Sequence, residues 1–205
     1  MFAAFNELQR LEVTLYTDAL ITHGFIRTRQ HRVTDILNLA EDPFLILEDV
    51  TVEELGHRGE TTKADYAQVN LDAVLFAVSN SEVPVMNELR TPKHASEAII
   101  SVPPFKIVGT IHLLPTENDL RQALVELTGR FLPVTDATYW SDLLGEARQT
   151  VLMVAVNHRR AQILAPHKAV DPWAGIDPAP GQAGAQPPSP IDPDYDPTKP
   201  DDRIR

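Results

Sequence analysis

Apolar and polar residues alternate in short runs over most of the first 165 positions, and the alternation is written twice. FLILEDVTVEE (Phe44–Glu54) and FLPVTDATYW (Phe131–Trp140) both open Phe-Leu. Each has an Asp five residues after the Phe, then a small apolar residue and a Thr. At an offset of 85, VTLYTDALITHGFI (from Val13) lies over AIISVPPFKIVGTI (from Ala98), and Gly24 meets Gly109. At an offset of 87, VTDILN (from Val33) lies over LRQALV (from Leu120). At the same offset Phe44 meets Phe131, Asp49 meets Asp136 and Thr51 meets Thr138. AVLFAVSN (Ala73–Asn80) resembles TVLMVAVN (Thr150–Asn157) at an offset of 77. Four segments in one order, with gaps only in loop-like places, indicate an internal duplication.

Each copy reads β-β-α-β-β-β. The first strand is Leu11–Thr17 or Ala98–Val102, and the second is Leu20–Thr28 or Phe105–Leu113. The second strand carries the shared Gly at its middle, where a bend, a bulge or close backbone approach is expected. A helix follows. TENDLRQALVEL places Thr116 three residues before Asp119, close to a capping box, with Leu120, Ala123, Leu124 and Leu127 at helical spacing. RVTDILNLA (from Arg32) is its shorter counterpart. In the third strand Phe44, Ile46 and Glu48 face one way, and Leu45, Leu47 and Asp49 the other. The fourth strand, Val74–Val78 or Val151–Val156, is apolar throughout, as a strand buried on both faces would be. A fifth short strand is Val83–Met86 or Ala161–Leu164. The fold class expected is therefore mainly β with short helices (α+β), as two tandem small β-barrels, since closure removes exposed edges. The expected core is Val13, Leu15, Ile26, Ile36, Leu37, Leu45, Leu47, Val74, Phe76 and their counterparts. The domains expected are residues 1–90, a linker at 91–97 that is rich in polar residues and Pro, residues 98–165, and a tail from 166 to 205.

Gly24, Asn38, Leu47 and Asp49, in that order, with Gly109 and VTDA (Val134–Ala137) in the second copy, resemble the first motif of the Sm-like (LSm/Hfq-type) small barrels. The resemblance implies a small barrel and barrel-to-barrel strand pairing into an oligomer. Two features depart from it. The helix here lies between strands two and three rather than before strand one. The turns SNSE (from Ser79) and NHRR (from Asn157) lack the Arg-Gly pair that helps clamp RNA bases, so RNA binding is not carried over. The repeated strand–helix–Leu-x-Asp-Ala signature also resembles an uncharacterised bacterial domain family, which brings no function with it.

Composition changes the picture in two places. Ten of the 17 prolines fall between Pro166 and Arg205. Proline removes a donor and fixes φ, and this stretch has little apolar surface, so a disordered or polyproline-like tail is expected. Trp173, Ile191, Tyr195 and Ile204 are spaced along it like anchors for a partner groove. The formal net charge of −11 speaks against a general nucleic-acid binder and against anionic membranes. No cysteine is present, which excludes thiol nucleophiles, thiolate metal sites and disulfides. MFAAFNELQRLEV lacks the pattern of a signal peptide, and no run approaches a membrane span, so a cytoplasmic protein is expected.

Candidate chemistry is sparse, and no cofactor or metal is expected. No two of the seven histidines (His23, His31, His57, His94, His112, His158, His167) stand at metal-ligand spacing. Asp49 and Asp136 suit either turn capping through backbone N–H groups or an acid–base pair. GHRGETTKADY (Gly56–Tyr66) reads as a surface loop whose His57 and Arg58 are candidates for partner binding. Arg27, Arg29, Arg32, Arg159 and Arg160 are the candidates for a nucleic-acid face. The leading expectation is a non-enzymatic interaction or scaffold protein that self-associates or docks on other proteins. A nucleic-acid-associated regulatory barrel is the alternative. A small-ligand binder or enzyme with its site between the repeats is the third.

Overall fold

The computed structural model describes residues 8–56, 59–79, 94–113, 122 and 129–167. The described residues form one compact unit. Its first half runs β1 (Gln9–Tyr16), β2 (Leu20–Thr28), α1 (Val33–Leu39), β3 (Phe44–Glu54), β4 (Thr61–Asn70) and β5 (Phe76–Val78). Its second half runs β6 (His94–Val102), β7 (Phe105–Leu113), β8 (Phe131–Ser141), β9 (Glu146–Asn157) and β10 (Ile163–Pro166), with a 3-10 turn at His158–Arg160. No helix among the described residues is long and apolar enough to cross a membrane.

The protein is mainly β, as expected. All ten strands belong to one antiparallel sheet in the order β10-β6-β7-β8-β9-β5-β1-β2-β3-β4. Among the described residues the ladder does not close on itself. β5 of the first half instead pairs with β9 of the second, through Phe76↔Val156, Ala77↔Ala155 and Val78↔Val154. Two of the described strands, β10 and β4, end the sheet.

Gln162–Pro166 and the 3-10 turn occupy the place of the expected fifth strand of the second half, and β10 pairs with β6 there. In the first half two expectations are corrected. Thr61–Tyr66, the second part of the stretch read as a surface loop, belong to β4, which pairs with β3 from Phe44↔Asn70 to Glu53↔Thr61. Val74–Val78, expected as the fourth strand, supplies β5. β4 gave no signal because almost every residue in it is exposed, so no apolar alternation marks it. β6 begins at His94, within the stretch read as linker. Val83–Met86, the second-half helix (residue 122 apart) and the tail from residue 168 on lie outside the described residues, whereas Pro166, read as the start of the tail, ends β10 and His167 N donates to Glu97 O at 2.9 Å.

Burial follows side-chain alternation. Leu11, Val13 and Leu15 of β1 are buried, and so are Leu45 and Leu47 of β3. After Leu47 the alternation slips: Asp49 is exposed and Val50 is buried. The cause is a bulge at Asp49, which has φ 50°. Asp136 in β8 has φ 50° too, with Ala137 buried after it. Aspartate is among the few side chains that tolerate this left-handed conformation. The bulges face Gly24 and Gly109, where the β2–β3 and β7–β8 registers shift. A Cβ on Gly24 would lie 3.1 Å from Glu48 O, and one on Gly109 would lie 2.8 Å from Thr135 O. Close backbone approach is thus the reason for both glycines.

All nine residues named as core are buried. They do not form one core per half. Tyr16, Ile21, Leu75, Phe76 and Val78 of the first half pack in a cluster with Phe105, Ile107, Leu132 and Tyr139 of the second. Phe131 and Ala155 of the second half pack with Leu15, Leu37 and Leu47 of the first.

Candidate functional site

The β5·β9 junction is the most elaborate polar and aromatic arrangement in the described residues. Tyr16 stacks on Phe76 at 4.3 Å between ring centroids, and Phe105 and Tyr139 each stand 5.1 Å from Phe76. The Tyr16 and Tyr139 hydroxyls share a 2.9 Å hydrogen bond, and Tyr139 donates to Gln149 Oε1 at 2.7 Å. Burial raises the Tyr139 pKa above its ordinary value. The bond with Tyr16 opposes that shift, and the charge of Glu146 adds to it. Between the repeats, where a ligand site was one expectation, Tyr16, Phe76, Phe105 and Tyr139 pack against one another.

Two asparagines fasten the junction. Asn38, in the last turn of α1, donates from Nδ2 to Phe131 O at 2.8 Å and accepts from Phe131 N at 2.7 Å. Asn157, 1 % exposed at the end of β9, donates from its backbone N–H to Leu75 O at 2.9 Å. Its Nδ2 donates to Val74 O at 2.9 Å, and its Oδ1 accepts from Arg159 N at 3.2 Å. The Asn38 amide satisfies the N–H and C=O of Phe131 in the other half, and the Asn157 amide joins a carbonyl of the first half to an N–H of the second.

The charged candidates do not converge. Arg27 pairs with Glu48 at 2.8 Å, and Arg29 and Arg32 are exposed beyond it at the same end of the β1–β2 hairpin. Arg160 reaches Asp18 at the other end of that hairpin, at 3.4 Å, with Arg159 exposed beside it. The seven residue steps of β2 from Leu20 to Arg27 separate the two groups by up to about 23 Å at roughly 3.3 Å per residue. Asp49 forms an ion pair with Arg10, which also lies over the Phe25 ring at 3.8 Å. Four strands stand between β3 and β8 in the sheet, so Asp49 and Asp136 are not brought together. Both are bulge residues within a strand rather than caps of a turn after it.

Histidines bind local partners: His23 Nδ1 lies 2.9 Å from Thr14 Oγ1, and His158 Nε2 lies 2.7 Å from Gly129 O. Among the described residues no His, Asp or Glu group is arranged to hold a metal ion. His57, Arg58, Trp173, Ile191, Tyr195 and Ile204 lie outside the described residues.

The two ends of the sheet carry apolar side chains in the open. Phe44 and Ile46 of β3 and Tyr66 of β4 are exposed at one end, and Ile163 of β10 at the other. Sequence reasoning passed over Asn70, Asn157 and Ile163. A constant offset of 87 past the helix would have aligned Asn70 with Asn157 and Phe76 with Ile163. No protein-family model, curated protein or solved structure matches this chain.

Proposed function

We propose that this protein is a non-enzymatic interaction or scaffold protein built on a duplicated small-barrel unit, and that it works through protein–protein contacts at sheet edges, self-association among them. One observation carries the reading: the edge of β5 already serves as a docking strand, because β9 of the other half completes it. Among the described residues the same kind of edge ends the sheet at β10 and at β4. An unpaired edge is a template for another strand.

Support for the duplication comes from parallel geometry. The first half runs β5-β1-β2-β3-β4 and the second β10-β6-β7-β8-β9, the same order of equivalent strands. The bulged Asp49 and Asp136 stand 87 positions apart, as do the residues that crowd Gly24 and Gly109: Leu47 with Val134, Glu48 with Thr135. The β5·β9 pairing is also the barrel-to-barrel contact that the Sm-like resemblance implies. The dispersal of the arginines favours this reading over a nucleic-acid surface.

Light scattering on the full chain, across a concentration series and at two salt concentrations, tests it. The expected mass is a multiple of 22.8 kDa, unchanged by added RNA. A mass of one chain at every concentration would overturn self-association.

A further inference from the structure

A hollow of about 290 Å³ opens on the second half, between the β6–β7 turn and the β8–β9 turn. We infer that it binds a small apolar monocarboxylate, with the body of the acid against Pro103, Pro104, Phe105 and Leu143 and its carboxylate on Lys106 and Arg148. The inference is independent of the edge reading above. The walls are held by the two turns. β6 and β7 pair as far as Val102↔Phe105, which leaves Pro103 and Pro104 as the whole of their turn. Ser141 Oγ donates to Pro104 O at 2.8 Å and accepts from Leu144 N at 3.3 Å, so the β8–β9 turn is fixed against the prolines. Phe105, 2 % exposed, closes the floor, and Leu143, 83 % exposed, puts an apolar wall in the open.

The rim carries more positive than negative charge. Lys106 of β7 stands opposite Trp140 of β8, and the Arg148 guanidinium lies over the Trp140 ring at 4.5 Å. Lys106 Nζ donates to Asp142 Oδ2 at 2.6 Å. Lys106 beside Asp142 lowers its carboxyl pKa below the ordinary value, and Trp140 and the charge of Arg148 lower it further, so Asp142 is ionised at neutral pH. An ammonium has three donors and a guanidinium five. Lys106 gives one to Asp142, and Arg148 forms no ion pair among the described residues. The charge of Glu146, the other carboxylate of this hairpin, acts on Tyr139. Two cations therefore share one carboxylate, and the donors left over suit a second.

Size sets the class of acid. At about 30 Å³ for each water-sized group the hollow has room for roughly ten non-hydrogen atoms. That is the small end of ligand pockets and matches an acid of about eight carbons. Stabilising the fold does not account for the rim. The Lys106 and Asp142 side chains are 49 % and 67 % exposed, and an ion pair so open to water adds little to stability. The rim also belongs to the second half alone. In the proposed duplication Ile21, Glu53 and Leu55 hold the places of Lys106, Trp140 and Asp142. Turns that vary on a shared scaffold are where binding is commonly housed.

Octanoate is the probe, titrated into the full chain carrying Trp173→Phe, so that Trp140 is the only tryptophan left and its fluorescence reports the rim. Octanamide keeps the body without the charge, acetate keeps the charge without the body, and octylamine reverses the charge. The expected result is a saturable change in Trp140 emission with octanoate, at least tenfold tighter than with any of the other three, because only octanoate gains both the apolar contact and the charge-assisted hydrogen bonds. Lys106→Gln and Leu143→Ser should each weaken octanoate at least fivefold with the melting temperature unchanged, and Lys106→Arg should keep its affinity within twofold. Octanamide or octylamine binding as tightly as octanoate overturns the anion assignment. So does the lack of a saturable change at millimolar octanoate, or an affinity that Lys106→Gln leaves unaltered. A peptide ending in a free leucine carboxylate that binds tenfold tighter than octanoate overturns the small acid in favour of a chain terminus. None of these results bears on the solution mass, so this site and the edge reading fail separately.

Discussion

Phe76→Ala is the perturbation that best probes how the two halves are joined. The ring is fully buried, stacks on Tyr16 and meets Phe105 and Tyr139 edge-on or tilted. Truncating such a ring removes its transfer free energy and leaves a cavity, a loss of about 3–5 kcal/mol. The cavity would lie among residues of both halves, where the strand ladders restrain collapse, so about 4 kcal/mol is expected. For a unit of this size that lowers Tm by about 8–16 °C, at roughly 2–4 °C per kcal/mol. The comparison is Ile163→Ala at the equivalent position of β10. With Ile163 mostly exposed in the single chain, the loss there should stay below about 0.5 kcal/mol when the protein is dilute. Urea unfolding followed by far-UV circular dichroism measures both. Since each core cluster mixes residues of both halves, the wild-type protein should unfold in one transition. Two separate transitions, or a Phe76→Ala cost under about 1 kcal/mol, would refute the shared core.

Gly109→Ala should destabilise by about 1–3 kcal/mol and Gly24→Ala by less. The added Cβ would stand 2.7 Å from Val134 Cγ1 at the first site, against a nearest contact of 3.1 Å at the second; equal or reversed urea midpoints would contradict this. Tyr139 predicts alkaline sensitivity. Its folded pKa is raised, so its contribution is complete below the unfolded value of about 10 and is lost as pH rises through the folded one, because the unfolded chain releases the proton first. Tyr139→Phe should flatten that part of the decline between pH 9 and 11, and parallel curves for the two proteins would exclude the mechanism.

The strands with one buried face were legible. Leu11, Val13 and Leu15 alternate with polar residues, and the Gly of β2 announced a close approach. The fold of β3 over its bulge was not, because period two cannot show where a residue is added. Asp49 was assigned to the Leu47 side, and the bulge turns it to solvent. The repeated Asp was a real signal of backbone conformation rather than of chemistry. The candidate arginines share a charge and nothing else, since a one-dimensional count cannot separate the two ends of a hairpin.

The likeness of AVLFAVSN to TVLMVAVN has the most instructive origin. The two segments were aligned as equivalent strands, yet β5 and β9 are hydrogen-bonded neighbours, with Phe76 opposite Val156. Their similarity reflects a shared environment where the two strands pair: Phe76–Val78 and Val154–Val156 each lie between two other strands at the centre of the sheet and are buried, so only apolar residues suit there. In the proposed duplication the counterpart of β9 is β4, and TTKADYAQVN shows little of the character of β9 because it stands at an end of the sheet. Composition thus records position in the assembly more faithfully than descent. By that standard the apolar Ile163 and Leu164 of β10 are out of place on an end strand, and so are Phe44 and Ile46 beside the other end. Apolar side chains at both ends of the described sheet are what the proposed docking at sheet edges requires.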